Sequence, residues 1–234
     1  MIRDVDIKDI WDGRFYAEED MAPVGCDDCR GCSDCCRMTG DSIVLDPLDL
    51  YHLTCGTGKT FTGMIEKEIE IRLVDGMILP NIMEHDENDP SRADGCPFLD
   101  KNGRCSIHEF RPGFCRLFPL GRYYRDEDRS FRYFVQKGEC TKGGSTPVRV
   151  RDWIGVSREE IRQYESFINT WHFFLKDVSA RLPLLTDRSR DQVTRYILQV
   201  FFVEPYRKDL DFYSQFEGRM RKAKKALAPL LPGR

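Results

Sequence analysis

Apolar side chains fall at helical spacing in the last third of the chain and at hairpin spacing near its middle. Ile161, Tyr164, Phe167, Trp171, Phe174, Val178 and Leu182 recur at intervals of three and four, which lines them up on one helix face. Ahead of them Ser157 and Glu160 make a capping-box pattern, with Val156 and Ile161 placed as a hydrophobic staple. A second helix is expected to open near Ser189, turn Val193, Ile197, Val200 and Phe201 inward, and stop before Pro205, because proline disfavours helical backbone in the preceding residue. A third runs from about Asp211 to Ala228 with Phe212, Phe216, Met220 and Leu227 inside. Its Arg219, Arg221, Lys222, Lys224 and Lys225 form a basic outer face that reads as solvated. These helices also offer a face on which a protein partner could dock.

Earlier, Asp46-Pro47 reads as an N-cap followed by proline at the first helical position, with Leu48, Leu50, Tyr51 and Leu53 as the apolar face. Ile69 to Val74 and Met77 to Ile82 flank Asp75-Gly76, a favoured two-residue hairpin turn. Residues 84 to 95 are acidic and turn-rich, and Phe131 to Val135 reads as a strand. All ten cysteines lie between Cys26 and Cys140. The expected fold is therefore α+β and mainly helical. An irregular cysteine-rich metal-binding core with a small β-hairpin occupies 1–150, and a C-terminal helical extension over 151–234 packs on it.

Composition sharpens the question of the cysteines. A chain of 234 residues buries enough surface to fold without cross-links. Cysteine makes up about 4% of it, below the roughly 8–10% of a disulfide scaffold. Met1 to Trp11 lacks the apolar core and cleavage site of a secretory signal, and no stretch approaches the roughly 18–20 apolar residues of a membrane span. A cytoplasmic protein off the membrane is expected, and in a reducing compartment clustered thiols serve metals or redox chemistry. The net charge of −3 gives no general attraction to nucleic acid.

The densest segment is Cys26-Asp-Asp-Cys29-Arg-Gly-Cys32-Ser-Asp-Cys35-Cys36. A two-residue gap lets both thiolates of a Cys-x-x-Cys turn reach one metal. Adjacent side chains usually diverge, so Cys35 and Cys36 are not expected to be equivalent ligands of one ion. Cys26, Cys29, Cys32 and Cys36 repeat the bacterial ferredoxin spacing, but Arg37 stands where that motif has proline. The radical-SAM spacing is absent from the cluster.

More cysteines follow in Cys96-Pro-Phe-Leu-Asp-Lys-Asn-Gly-Arg-Cys105-Ser-Ile-His108 and in Arg111-Pro112-Gly-Phe-Cys115-Arg116-Leu-Phe118-Pro119, and Cys140 closes the series. His108 suits a supporting or surface position better than direct ligation. Arg111 and Arg116 could donate hydrogen bonds to anionic sulfurs or to an anionic substrate, while Pro112 and Pro119 shape the loops. Gly56-Thr-Gly58-Lys59-Thr60 imitates a phosphate loop, but Leu53 stands where the motif needs glycine. A Cys115 nucleophile activated by His108 is imaginable, and metal ligation is the more economical role for a thiol in this company.

Over roughly residues 26 to 142 these blocks resemble the YkgJ-type cysteine-cluster (CxxCxxCC) family of zinc- or iron-chelating domains. The family core falls on Cys29, Cys32, Cys35 and Cys36, and the Cys-Pro-Phe-Leu, Cys-x-Ile and Arg-Pro-x-x-Cys-Arg-x-Phe-Pro blocks correspond as well. The resemblance implies a metal held by Cys29, Cys32, Cys35, Cys36, Cys96, Cys105, Cys115 and Cys140, and leaves Cys26 and Cys55 unassigned. Eight thiolates divide into two four-cysteine sites, or serve one cluster with thiols to spare. Because one loop concentrates the thiols and the others arrive singly, an iron–sulfur cluster is favoured over zinc. The implied role is electron transfer, metal handling or structural support. Flagellin lysine-N-methylases resemble the same pattern, so a metal-dependent protein-modifying enzyme is the alternative, although no glycine-rich cofactor loop follows a strand.

Overall fold

The structure, a computed structural model, describes residues 6–26, 32–38, 43–65, 67–83, 95–140 and 146–230. Most of the turn-rich segment, residues 84–94, lies outside them, as does Cys29. In chain order the elements are α1 (Ile7–Ile10), β1 (Met21–Gly25), α2 (Asp34–Met38), α3 (Pro47–Thr57), α4 (Phe61–Met64), β2 (Ile69–Val74), β3 (Met77–Ile82), α5 (Gly113–Leu117), β4 (Leu120–Arg125), β5 (Ser130–Val135), β6 (Thr146–Arg149), α6 (Val150–Trp153), α7 (Ile161–Ser179), α8 (Asp187–Leu198) and α9 (Phe212–Leu227). This is the expected α+β arrangement, with helices dominating the C-terminal part.

The β2–β3 hairpin forms as its turn chemistry requires. Val74 pairs with Met77, and Asp75 and Gly76 both take positive φ (49° and 80°), as a mirror-image two-residue turn demands. On the other edge of β3, the Leu45 N–H donates to the Pro80 carbonyl, and Ile82 donates to Ile43. Flanked on both sides, β3 is almost wholly buried. Two further antiparallel pairs were not foreseen in full. β4 pairs with β5, and β1 pairs with β6 from Met21↔Arg149 to Gly25↔Thr146.

The helical end follows its apolar stripe. α7 buries Ile161, Tyr164, Phe167, Trp171, Phe174 and Val178, and stops at Ser179, so that Leu182 is buried instead in a one-turn 3-10 segment. Ser157 Oγ accepts the Glu160 N–H ahead of the helix, as the capping pattern implied. α8 opens two residues before Ser189, because Thr186 is the cap and accepts the Ser189 N–H at 3.2 Å. Its end widens into a π-type turn, Gln199–Val203, closed by Glu204 N–H to the Gln199 carbonyl. That extra residue turns Val200, Phe201 and Phe202 inward together, which a regular α-helix cannot do. Phe201 packs on Trp171 with ring centres 4.9 Å apart and on Phe216 at 5.9 Å.

One residue of the supposed basic outer face of α9 is turned inward. Arg219 donates to the carbonyls of Val200, Glu204 and Pro205 at 2.6–2.8 Å and lies 3.6 Å over the Tyr206 ring. It caps the last carbonyls after α8, where a cation is favoured. Buried side chains from Tyr16 to Leu227 belong to one continuous core, to which both the cysteine-bearing region and the terminal helices contribute.

Candidate metal centre

The thiols sit on short pieces of backbone that other parts of the chain fix in place. Cys35 and Cys36 are carried by α2, whose first turn is held by Cys36 N–H to the Ser33 carbonyl. Their sulfurs are 4.0 Å apart and share a hydrogen bond. The expected divergence of these neighbours is therefore not found. Two thiolates on one tetrahedral ion, with bonds of about 2.3 Å, would be separated by about 3.8 Å. The short helix keeps both side chains on the same side.

Next to them stands the loop from Cys96 to Cys105. The Cys96 N–H donates to the Cys36 carbonyl at 2.9 Å, joining segments sixty residues apart in sequence. Within the loop, Asp100 Oδ1 accepts the N–H groups of Asn102 and Arg104, both at 2.8 Å, and Gly103 turns with φ of 71° beside Ser33. An isolated bridge between Leu99 and Cys105 closes the loop, and buried Phe98 and Ile107 tie it to the core.

Cys115 arrives on α5. Asp46 and Asp49 form a reciprocal capping box at the start of α3, and the spare oxygen of Asp49 accepts the Gly113 N–H at 2.6 Å. The ring of Phe110 lies flat against Gly56 of α3, and Trp153 Nε1 donates to the Phe118 carbonyl beyond the end of α5. Cys96, Cys105 and Cys115 all pack against the core.

Electrostatics link the same five sulfurs. Cys36 is pushed up, first by donating its hydrogen bond to Cys35 and then by burial, and it also feels Cys96 and Cys115. Cys35 falls to about 7, chiefly through that bond, with help from the Arg111 charge. Burial raises Cys115, which feels Cys96, Asp49 and Cys105, and burial raises Cys105, which feels Cys35. Cys35, Cys36, Cys96, Cys105 and Cys115 thus lie within electrostatic reach of one another. Among the described residues, no group of three or more Cys, His, Asp or Glu side chains is drawn into the arrangement of a metal site.

The other candidates are placed as follows. Cys32 is partly buried just ahead of α2, and Cys140 is partly buried in the turn region after β5. Cys26 follows β1, and Cys55 lies on α3 in hydrogen-bond contact with Tyr51. His108 is exposed at the head of a one-turn segment, His108–Phe110. Lys59 of the imitation phosphate loop pairs with Glu68.

A second group stands beside α5, of which sequence reading had singled out Arg116 as an anion donor and Asp46 as a helix cap but had missed Arg122 and Asp49. Arg122 of β4 donates to the Tyr164 hydroxyl at 2.7 Å, and Asp46 and Asp49 both feel the charges of Arg116 and Arg122. An arginine between tyrosines and glycine in a six-residue strand was the available signal.

Residues 28–141 match the model of the family named CxxCxxCC and described as a putative zinc- or iron-chelating domain. Neither the curated proteins nor the solved structures return a match. No helix among the described residues is long and apolar enough to cross a membrane. The matched segment spans every cysteine block described above except Cys26, and it is residues 28–141 of this chain that carry the pattern of the CxxCxxCC family.

Proposed function

We propose that the chain binds zinc or iron through the thiolates of Cys29, Cys32, Cys35, Cys36, Cys96, Cys105, Cys115 and Cys140. Iron held as an iron–sulfur cluster is the favoured form, and the role is electron transfer, metal handling or structural support. The helices over 151–234 act as an extension that stiffens the site and offers a face to a protein partner. One observation carries the reading: the backbone bond from Cys96 to Cys36 joins two cysteine segments distant in sequence, next to a pair of sulfurs at 4.0 Å. Soft thiolates accept both zinc and iron–sulfur clusters. The cluster is favoured because one loop concentrates the thiols and the others arrive singly, whereas structural zinc sites commonly pair two separate knuckles.

Protein purified without oxygen should be brown, contain iron and acid-labile sulfide, and bleach on reduction. Colourless protein with stoichiometric zinc that resists reconstitution with iron and sulfide would exclude the cluster. Protein that holds neither metal after incubation with each would overturn metal binding altogether.

A further inference from the structure

Three buried guanidinium nitrogens on two arginines have no hydrogen-bond partner: Nε and Nη2 of Arg116, and Nε of Arg122. Buried donors are rarely left unmet, and a charged donor is the costliest to leave so. The two side chains come from different elements, α5 and β4, and converge on Tyr164 of α7. Their guanidinium carbons lie 5.8 and 5.7 Å from the centre of the Tyr164 ring, and Arg122 Nη2 holds the Tyr164 hydroxyl.

The nearby acids do not meet this need. Asp46 Oδ1 accepts the Asp49 N–H at 2.8 Å, Asp49 Oδ2 accepts the Asp46 N–H at 3.0 Å, and Asp49 Oδ1 accepts Gly113. Three of their four oxygens are taken by backbone, and neither carboxyl hydrogen-bonds the orphaned arginine atoms. Burial, followed for Asp46 by the neighbouring carboxylate, pushes both acids toward their neutral forms, Asp46 to about 8.

We propose that Arg116 and Arg122 bind a compact oxyanion, a carboxylate or a phosphate, beside the cysteine segments. Both chemistries offer several acceptor oxygens to planar guanidinium donors. Arg116 directly follows Cys115, so anion binding and metal content have to be read side by side.

Calorimetry on the full chain, titrated separately with inorganic phosphate and with acetate, tests it, and the probe that saturates identifies the source of the oxyanion. Binding should occur at one site and weaken by about tenfold or more in Arg116→Gln and in Arg122→Gln. It should be unchanged in Arg221→Gln, which alters an exposed cation on α9. Metal content measured on the same samples separates an effect on the anion from one on neighbouring Cys115. If neither probe saturates, or if binding survives both glutamine variants, water satisfies the donors and the proposal fails. Should the variants not fold, wild-type crystals soaked in selenate decide: an anomalous peak between the two guanidiniums supports the site, and its absence overturns it.

Discussion

Replacing Asp49 by alanine would remove two acceptors from a side chain that is only 2% exposed. One holds the Asp46 N–H in the capping box, where loss of a cap contact costs about 1 kcal/mol. The other holds the Gly113 N–H, and a buried donor left unmet costs about 1–3 kcal/mol. Some of this is recovered, because burial already raises the Asp49 pKa and alanine removes that strained acid. The net loss should be about 1–3 kcal/mol, toward the large end for a single substitution. Asparagine retains one acceptor and carries no charge, so it serves either Gly113 or the cap, and its loss should fall between wild type and alanine. Urea unfolding followed by circular dichroism, at one fixed metal loading, measures the series. Alanine within about 0.5 kcal/mol of wild type, the range of a featureless surface change, would refute the bond to Gly113 as a structural link.

A pH test follows from Asp46, whose pKa is raised to about 8 by burial and then by Asp49. A raised carboxyl pKa means the folded state holds the proton more tightly, so this contribution is full below the ordinary range and is lost as pH rises toward about 8. Asp46→Asn keeps a good cap without the titration, so its stability relative to wild type should climb over that window; a flat difference would refute the burial of the charge. Gly56→Ala places a methyl group 2.5 Å from the Phe110 ring, and should lower the melting temperature through overpacking of about 1–3 kcal/mol. An unchanged melt by calorimetry would show that Phe110 does not lie against α3. Cys26→Ala and Cys55→Ala should keep full metal content while Cys32→Ala loses it; equal loss in all three would mean the ligands are wrongly divided.

The parts of the fold that could be read in advance are those with a local period or a local turn. The stripe from Ile161 to Val178, the Asp75-Gly76 turn and the Asp46-Pro47 cap each act within a few residues, and each forms as written. β1 and β6 left no such trace. Met-Ala-Pro-Val-Gly and Thr-Pro-Val-Arg each contain a proline, have no clear alternation, and pair across more than a hundred residues. The run from Val200 to Val203 carried a sign that was not used. Four consecutive apolar residues do not fit one face of an α-helix, and the chain resolves the conflict with a π-type turn.

For the thiols, residue type and spacing were legible, but the supports of the segments that carry them were not. α2 and α5 are five residues long, far below the roughly 12–15 at which even a favourable isolated helix becomes marginal. Neither can aim a cysteine by itself. Their orientation comes from distant partners: the Cys36 carbonyl for Cys96, and Asp49, Gly56 and Trp153 for the segment around Cys115. Asp49 and Gly56 lie on α3, and the Tyr51 ring of that helix packs at 5.3 Å from Phe212 at the start of α9. The cysteine-free end of the chain therefore braces the helix that braces Cys115. A deletion of α9 should disturb the surroundings of that thiol while removing no cysteine, and alkylation of Cys115, read by mass spectrometry, should become faster in the shortened chain.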